Sequence, residues 1–168
     1  MKTLFLVRHA KSSWKDASLP DALRPLNKRG RRNAPLMGRR LADRGVEVEL
    51  IVTSPATRAV ATAEALAEEL SYPWDEIVVE DRLYHAATEE MLAVIEEQDD
   101  WLDGLLVVGH NPALTSLANY LGRGDLDNVP TGGVVELRYD VMRWSDLASV
   151  RPTAMVFDYP KRRPGGEE

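Results

Sequence analysis

Two histidines and two arginines carry the chemistry that this sequence is best equipped to perform. His9 follows Arg8 at the end of the apolar run LFLV, His110 follows the run LLVVG, and Arg58 lies just beyond LIVTSPAT. A neutral imidazole can attack through one ring nitrogen while the other donates its proton to a nearby acceptor. Arginine presents a planar fork of donors that matches phosphate oxygens. Phosphoryl transfer needs little beyond a nucleophile and charge neutralisation on the equatorial oxygens. The set therefore reads as a phosphoryl-transfer site, with His9 as nucleophile and Arg8, Arg58 and His110 around the phosphate. His110, protonated beside the anion, would add a third cationic donor.

About fifty residues separate His9 from Arg58 and Arg58 from His110, so only the fold can bring them together. Short apolar runs at residues 3–7, 50–53, 77–79 and 105–108 read as strands, with weaker candidates at 134–137 and 154–157. Near-continuous apolar strands imply burial on both faces, as in a parallel sheet covered by helices. Helical patterns lie between them. Asn27 is placed to cap a helix running to about Arg44, with Leu36, Met37, Arg40 and Leu41 facing inward and Gly45 as the stop. Ala59, Ala63, Leu66 and Leu70 mark a second helix, Met91 to Ile95 a third after Thr88, and Leu114 to Leu121 a fourth. The alternation predicts a three-layer α/β/α sandwich with a mostly parallel central sheet.

The junctions after the second and fourth strands share a pattern. In each, Ser54 or Asn111 is expected as the helix N-cap, with Pro55 or Pro112 at the first helical position. Each junction would aim free backbone N–H groups and a positive helix end outward from the sheet. If the strands are parallel, His9, Arg58 and His110 all reach the carboxyl edge, where open α/β sheets bind ligands.

Composition narrows the remaining classes. The 168 residues suit one domain. The chain has no cysteine, which removes thiolate nucleophiles and disulfide frameworks and suits a reducing compartment. The N-terminal apolar run is too short for a signal-peptide core or a membrane span, so a cytoplasmic location is expected. A net charge of −6 argues against nucleic-acid binding. That charge is unevenly spread: residues 1–44 hold twelve Lys and Arg against three Asp. Lys28, Arg29, Arg31, Arg32, Arg39, Arg40 and Arg44 read as the solvated face of a helix, and their field can also draw in an anionic substrate. The four tryptophans, Trp14, Trp74, Trp101 and Trp144, read as packing residues.

Three segments together resemble a known family: VRHA at residues 7–10, SPATRAVATAE at 54–64 and GHNP at 109–112. They are similar to the signature segments of the histidine phosphatase superfamily, with Ala10 in the glycine place of its RHG-type motif. RPLNKRG at 24–30 resembles the stretch before that family's first helix. The resemblance spans about residues 2–121 and implies a phosphoglycerate mutase-like fold; the domain is expected over residues 1–159, and PKRRPGGEE at 160–168 reads as a flexible tail. The same resemblance implies that His9 becomes transiently phosphorylated while Arg8, Arg58 and His110 complete the phosphate pocket.

KSSW at 11–14 and LYHA at 83–86 lean toward the SixA-like branch of phosphohistidine phosphatases. Mutases and larger acid phosphatases of the family carry a glutamate acid where this chain has Leu83, Tyr84 and His85. The general acid is therefore open between His85 and the carboxyls of Glu80, Asp81 and Glu89. A carboxyl would need a raised pKa for that task. Lys11, Ser12, Ser13 and His85 are the expected substrate-binding residues. No metal or other cofactor is expected, because His9, His85 and His110 lack the short helical spacings of zinc hydrolases. The expected partner is a phosphorylated substrate, either a phosphohistidine protein or a small phosphate ester. A phosphate-binding module without turnover is the third alternative.

Overall fold

The computed structural model describes residues 1–162. Six strands form one sheet: β1 (Lys2–Arg8), β2 (Leu50–Thr53), β3 (Val78–Val79), β4 (Gly104–Gly109), β5 (Val134–Tyr139) and β6 (Ala154–Asp158). Their spatial order is β3-β2-β4-β1-β5-β6. β1 to β4 run parallel, and β5 alone is antiparallel to both of its neighbours. Four α-helices cover the two faces of the sheet: α1 (Lys28–Asp43), α2 (Thr57–Glu69), α3 (Thr88–Glu96) and α4 (Ala113–Gly122). This is the α/β sandwich that strand–helix alternation predicts.

Three layers follow from the two-residue period of the strands. Leu4 and Leu6 of β1, with Leu105 and Val107 of β4, pack on one face against α3 and α4. Phe5 and Val7, with Leu106 and Val108, pack on the other face against α1 and α2. Consecutive apolar residues in the inner strands β1 and β4 therefore feed two cores at once. β3 is the exception: at the sheet edge, Val78 and Val79 stay exposed.

α1 begins and ends as its sequence dictates. The Asn27 side chain accepts from the Gly30 N–H at 2.8 Å. Gly45, at φ +69°, closes the helix through N–H bonds to Ala42, while the Val46 N–H returns to Leu41. The inward stripe differs from expectation, being Gly30, Ala34, Met37, Gly38 and Leu41. Leu36 is only half-buried, and Arg40 turns aside to pair with Asp158 at 3.1 Å. Small residues win the face because α1 lies close to its neighbours. A Cβ on Gly38 would meet the Glu69 side chain at 2.9 Å, and one on Gly30 would meet the Lys11 carbonyl oxygen at 2.2 Å.

Two further expectations change. Trp144 is buried, but Trp14, Trp74 and Trp101 are each more than 70% exposed. Trp14 instead lies over the Arg24 guanidinium, 3.5 Å from ring centroid to carbon. In the stretch expected to be a flexible tail, the Pro160 carbonyl accepts from Arg40, and Arg162 donates to Phe157. The rest of that stretch, 163–168, lies outside the described residues.

Candidate active site

Strand register brings the site together. Arg8 of β1 is paired with Gly109 of β4, and Val108 of β4 with Thr53 of β2. The next residues, His9, His110 and Ser54, therefore leave three adjacent parallel strands at one level. Main-chain bonds extend the pairing past the strand ends, from the His9 N–H to Gly109 and from the Ser54 N–H to Val108. The imidazoles of His9 and His110 lie 5.0 Å apart between centroids. Both line a cleft of about 340 Å³ with Arg8, Arg58, Tyr84 and His85.

Both helix starts differ in detail from the shared pattern. α2 begins at Thr57 after Ala56, which supplies no side-chain cap. Ser54 is not its N-cap: its hydroxyl accepts from the Ala56 N–H and meets His110 Nε2 at 2.7 Å. α4 begins at Ala113, with Pro112 in the cap position. The Asn111 side chain nevertheless performs the capping, accepting from the Thr115 N–H at 3.1 Å. Its amide also donates to the Val129 carbonyl at 3.0 Å.

His9 is 8% exposed, and its ring orientation is fixed from behind. Nδ1 lies 2.8 Å from the Ala10 carbonyl oxygen. A carbonyl can only accept, so Nδ1 carries the proton and Nε2 keeps its lone pair. The Ala10 N–H is itself held by Thr62 Oγ1, and Thr62 donates to the Arg58 carbonyl. The Ala10 methyl is fully buried beside Leu26 and Ala34, which explains how alanine is accommodated in the glycine place of the motif.

Burial sets the protonation of both rings. It pulls the His9 pKa down to about 4, an effect reinforced by Arg58, Arg8 and Arg24 and opposed by the bond to Ala10. It pulls His110 down to about 3, with His9 and Arg58 adding to the shift. Both imidazoles are neutral at pH 7 in the free site, so the expected positive charge on His110 is absent until an anion enters.

The arginines present themselves in an unexpected way. Arg58 commits one N–H of each terminal nitrogen to Asp21: Nη1 donates to the Asp21 carbonyl at 2.7 Å and Nη2 to the Asp21 carboxylate at 3.0 Å. Arg8 Nη1 donates to the Val129 carbonyl at 3.0 Å. The Nε of each arginine is buried with no acceptor. Two buried cationic N–H groups without partners, beside a free imidazole nitrogen, form a cradle that an oxyanion would satisfy.

Asp21 is the residue that sequence reasoning missed. Its carboxylate also accepts from Arg24, at 3.2 and 3.1 Å, and from the Tyr84 hydroxyl at 2.6 Å. The Tyr84 bond, followed by those from Arg58 and Arg24, holds this carboxyl far below the usual carboxylate range. The signal was local: Asp21 and Arg24 stand three apart on one 3₁₀ turn, Asp21–Leu23, where such residues share a side.

The remaining expected residues divide. His85 borders the cleft, exposed, with its ring 4.1 Å from that of Tyr84 and its backbone in the left-handed region at φ +57°. Ser12 turns its hydroxyl to Arg24 at 2.8 Å, while Lys11 and Ser13 line a separate, larger cleft. Among the described residues no carboxylate lines the His9 cleft; Glu80 is instead paired with Arg82. Among the described residues, no group of three His, Asp or Glu could hold a metal ion, and no helix is long and apolar enough to cross a membrane.

A neutral imidazole beside two arginines whose Nε atoms are buried, at the carboxyl edge of a mostly parallel sheet, fits a phosphatase-class site. The chain belongs to the histidine phosphatase superfamily (branch 1), whose family model matches residues 4–87. An uncharacterized protein of Mycobacterium tuberculosis is 31% identical over 92% of this chain and its own full length. Two solved structures provisionally assigned as phosphohistidine phosphatase SixA share the fold. That from Agrobacterium tumefaciens is 30% identical, with a TM-score of 0.75 over 81% of this chain and 90% of its own. That from Nakamurella multipartitia is 26% identical, with a TM-score of 0.80 over 96% and 97%.

Proposed function

We propose that this phosphatase removes the phosphoryl group from phosphohistidine on a protein partner, through a phosphorylated His9. The observation that carries the reading is the His9 ring itself: Nδ1–H is tied to the Ala10 carbonyl, and Nε2 is left free among the buried donors of Arg8 and Arg58.

Nε2 attacks phosphorus in line. The new N–P bond forms as the P–N bond to the substrate imidazole breaks, and that bond's electron pair leaves with the substrate ring. Phospho-His9 carries its positive charge against the Ala10 carbonyl. Water then attacks phosphorus, the P–Nε2 bond breaks, and inorganic phosphate departs with the water's oxygen. Arg8, Arg58 and His110 hold the phosphoryl oxygens through both steps.

The cleft favours a phosphoramidate over an ester because no carboxyl group lines it to act as acid. A protonated phosphohistidine ring departs as neutral imidazole without such help, whereas an alkoxide needs a proton. The two SixA neighbours at 30% and 26% identity support the same substrate class. A reducing, cytoplasmic setting fits a chain without cysteine.

The test is an assay with chelator present on a phosphohistidine peptide, a chromogenic phosphate ester and a panel of phosphorylated metabolites. Turnover of the peptide with an acid-labile phosphoenzyme, both abolished in His9→Ala, is expected. Full activity in His9→Ala overturns the nucleophile, and loss of activity with chelator overturns the metal-free mechanism. Turnover of metabolites alone would make this a small-molecule phosphatase. Phosphate binding without any turnover would make it a regulatory module.

A further inference from the structure

A cleft larger than the one that holds His9 lies nearby on the chain. About 780 Å³ in volume, it lies between the loop that follows the nucleophile and the start of α1. Lys11, Lys15, Lys28, Arg29, Arg31 and Arg32 line it, against one carboxylate, Asp16. Asp16 is engaged by the Ser18 hydroxyl at 2.6 Å. Of the six cations, only Arg31 uses its side chain locally, on the Leu26 carbonyl. The other five make no side-chain hydrogen bond or ion pair among the described residues. A second cleft of about 650 Å³ continues along α1 and shares Arg29, Arg31 and Arg32; it adds Lys161 and Arg39, which pairs with Glu69 at 3.5 Å, and no acidic residue among the described residues.

Like charges gathered this closely repel one another and destabilise the folded surface unless a counter-charge joins them. Their concentration on a chain of net charge −6 makes this face attractive to an anionic partner. Two clefts in series along a helix suit an elongated anion better than a compact metabolite. Their lining contains no aromatic side chain on which bases could stack, which disfavours single-stranded nucleic acid.

This surface is joined to the reaction centre. Lys11 stands two residues after His9, and its carbonyl accepts from the Asn27 N–H at the head of α1. Ser13 lines the cleft, and its carbonyl accepts from Arg24, which is bound through Asp21 to Arg58.

We propose that the basic clefts along the head of α1 dock an acidic polypeptide segment of the phosphoprotein substrate, so that its phosphohistidine is delivered to His9. The proposal rests on the phosphohistidine reading for the delivered group, but the docking surface can be tested without it. Specificity would then arise from charge complementarity outside the small reaction cleft, which raises encounter rate and selects partners.

The experiment uses the full chain and Arg29→Glu/Arg32→Glu, two exposed positions with no internal partner. A fluorescent, unphosphorylated Glu-rich peptide should bind the native chain, weaken as salt rises, and lose about tenfold or more in affinity in the double variant. Of two phosphohistidine peptides, one with acidic and one with neutral flanks, the native chain should prefer the acidic one in kcat/KM. The variant should lose that preference while hydrolysing a chromogenic ester at the native rate. Equal kcat/KM for the two peptides in the native chain would overturn the proposal, as would unchanged Glu-peptide affinity in the variant. Tighter binding of a single-stranded oligonucleotide than of the Glu peptide would also overturn it, in favour of nucleic acid. Salt-sensitive, variant-sensitive Glu-peptide binding with no turnover of either phosphopeptide would uphold the docking surface and overturn the substrate reading.

Discussion

Asp21 engages both terminal nitrogens of Arg58, one through its main-chain carbonyl and one through its carboxylate. The second residue of α2 is thereby anchored to a turn 37 positions earlier, while its buried Nε has no partner among the described residues. Asp21 sets where the Arg58 charge lies and offsets part of it.

Replacing Asp21 with Asn should keep the carbonyl anchor while removing one negative charge beside the cradle. At an effective dielectric near 20, a unit charge a few ångströms away is worth on the order of a few kcal/mol before solvent screening. Asp21 is about half exposed, so a tightening of phosphate inhibition by roughly three- to tenfold is expected after that screening. Steady-state inhibition by inorganic phosphate measures it. An unchanged inhibition constant would show that the carboxylate does not influence the cradle.

His9 should titrate near pH 4, well below an ordinary imidazole at 6.5, because burial disfavours its charged form. Following its Cε1 proton by NMR against pH gives the value directly, and a midpoint near 6.5 would contradict the buried, neutral nucleophile. Stability carries the same sign. The unfolded chain binds protons on these rings from about pH 6.5 downward, while the folded chain resists until about 4 at His9 and 3 at His110. Stability contributed by the two rings is therefore intact above pH 6.5 and declines as pH falls through that window. Denaturant midpoints at pH 7.5 and pH 5 should show the decline.

His85→Gln should separate the two kinds of leaving group. If His85 donates a proton to ester oxygens, its loss should lower kcat on an alkyl phosphate by about a hundredfold, the usual scale of general acid catalysis. Turnover of phosphohistidine peptide should remain within a few-fold of native. Equal losses on both substrates would assign His85 to binding instead of proton transfer.

Gly30→Ala tests the seam between the nucleophile loop and α1. The new methyl would stand 2.2 Å from the Lys11 carbonyl oxygen and 3.0 Å from its nitrogen, so backbone must move. Overpacking of this kind costs about 1–3 kcal/mol. A lower denaturant midpoint with an unchanged m-value is expected, and a native midpoint would mean that the loop yields freely.

The sequence by itself determined the elements and the edge on which chemistry gathers. Apolar runs ending at Val7, Thr53 and Val108 are local signals, as are Asn27 and Gly45 at the two ends of α1, and each appears where its residue type predicts. The strand ends also name His9 and His110, because parallel strands of similar length must finish at one edge. What the tertiary structure decided is how each side chain spends its hydrogen bonds. Ser54 has the chemistry of a helix cap, yet it lies within reach of His110, and the helix starts three residues later. Arg58 has the fork for a phosphate, yet Asp21 takes one N–H from each end of it. Neither result is encoded locally, because a donor bonds to whichever acceptor the fold carries to it. The neutral rings of His9 and His110 have the same origin. Their shifted pKa values come from burial among residues distant in the chain, and no spacing in the sequence records that burial.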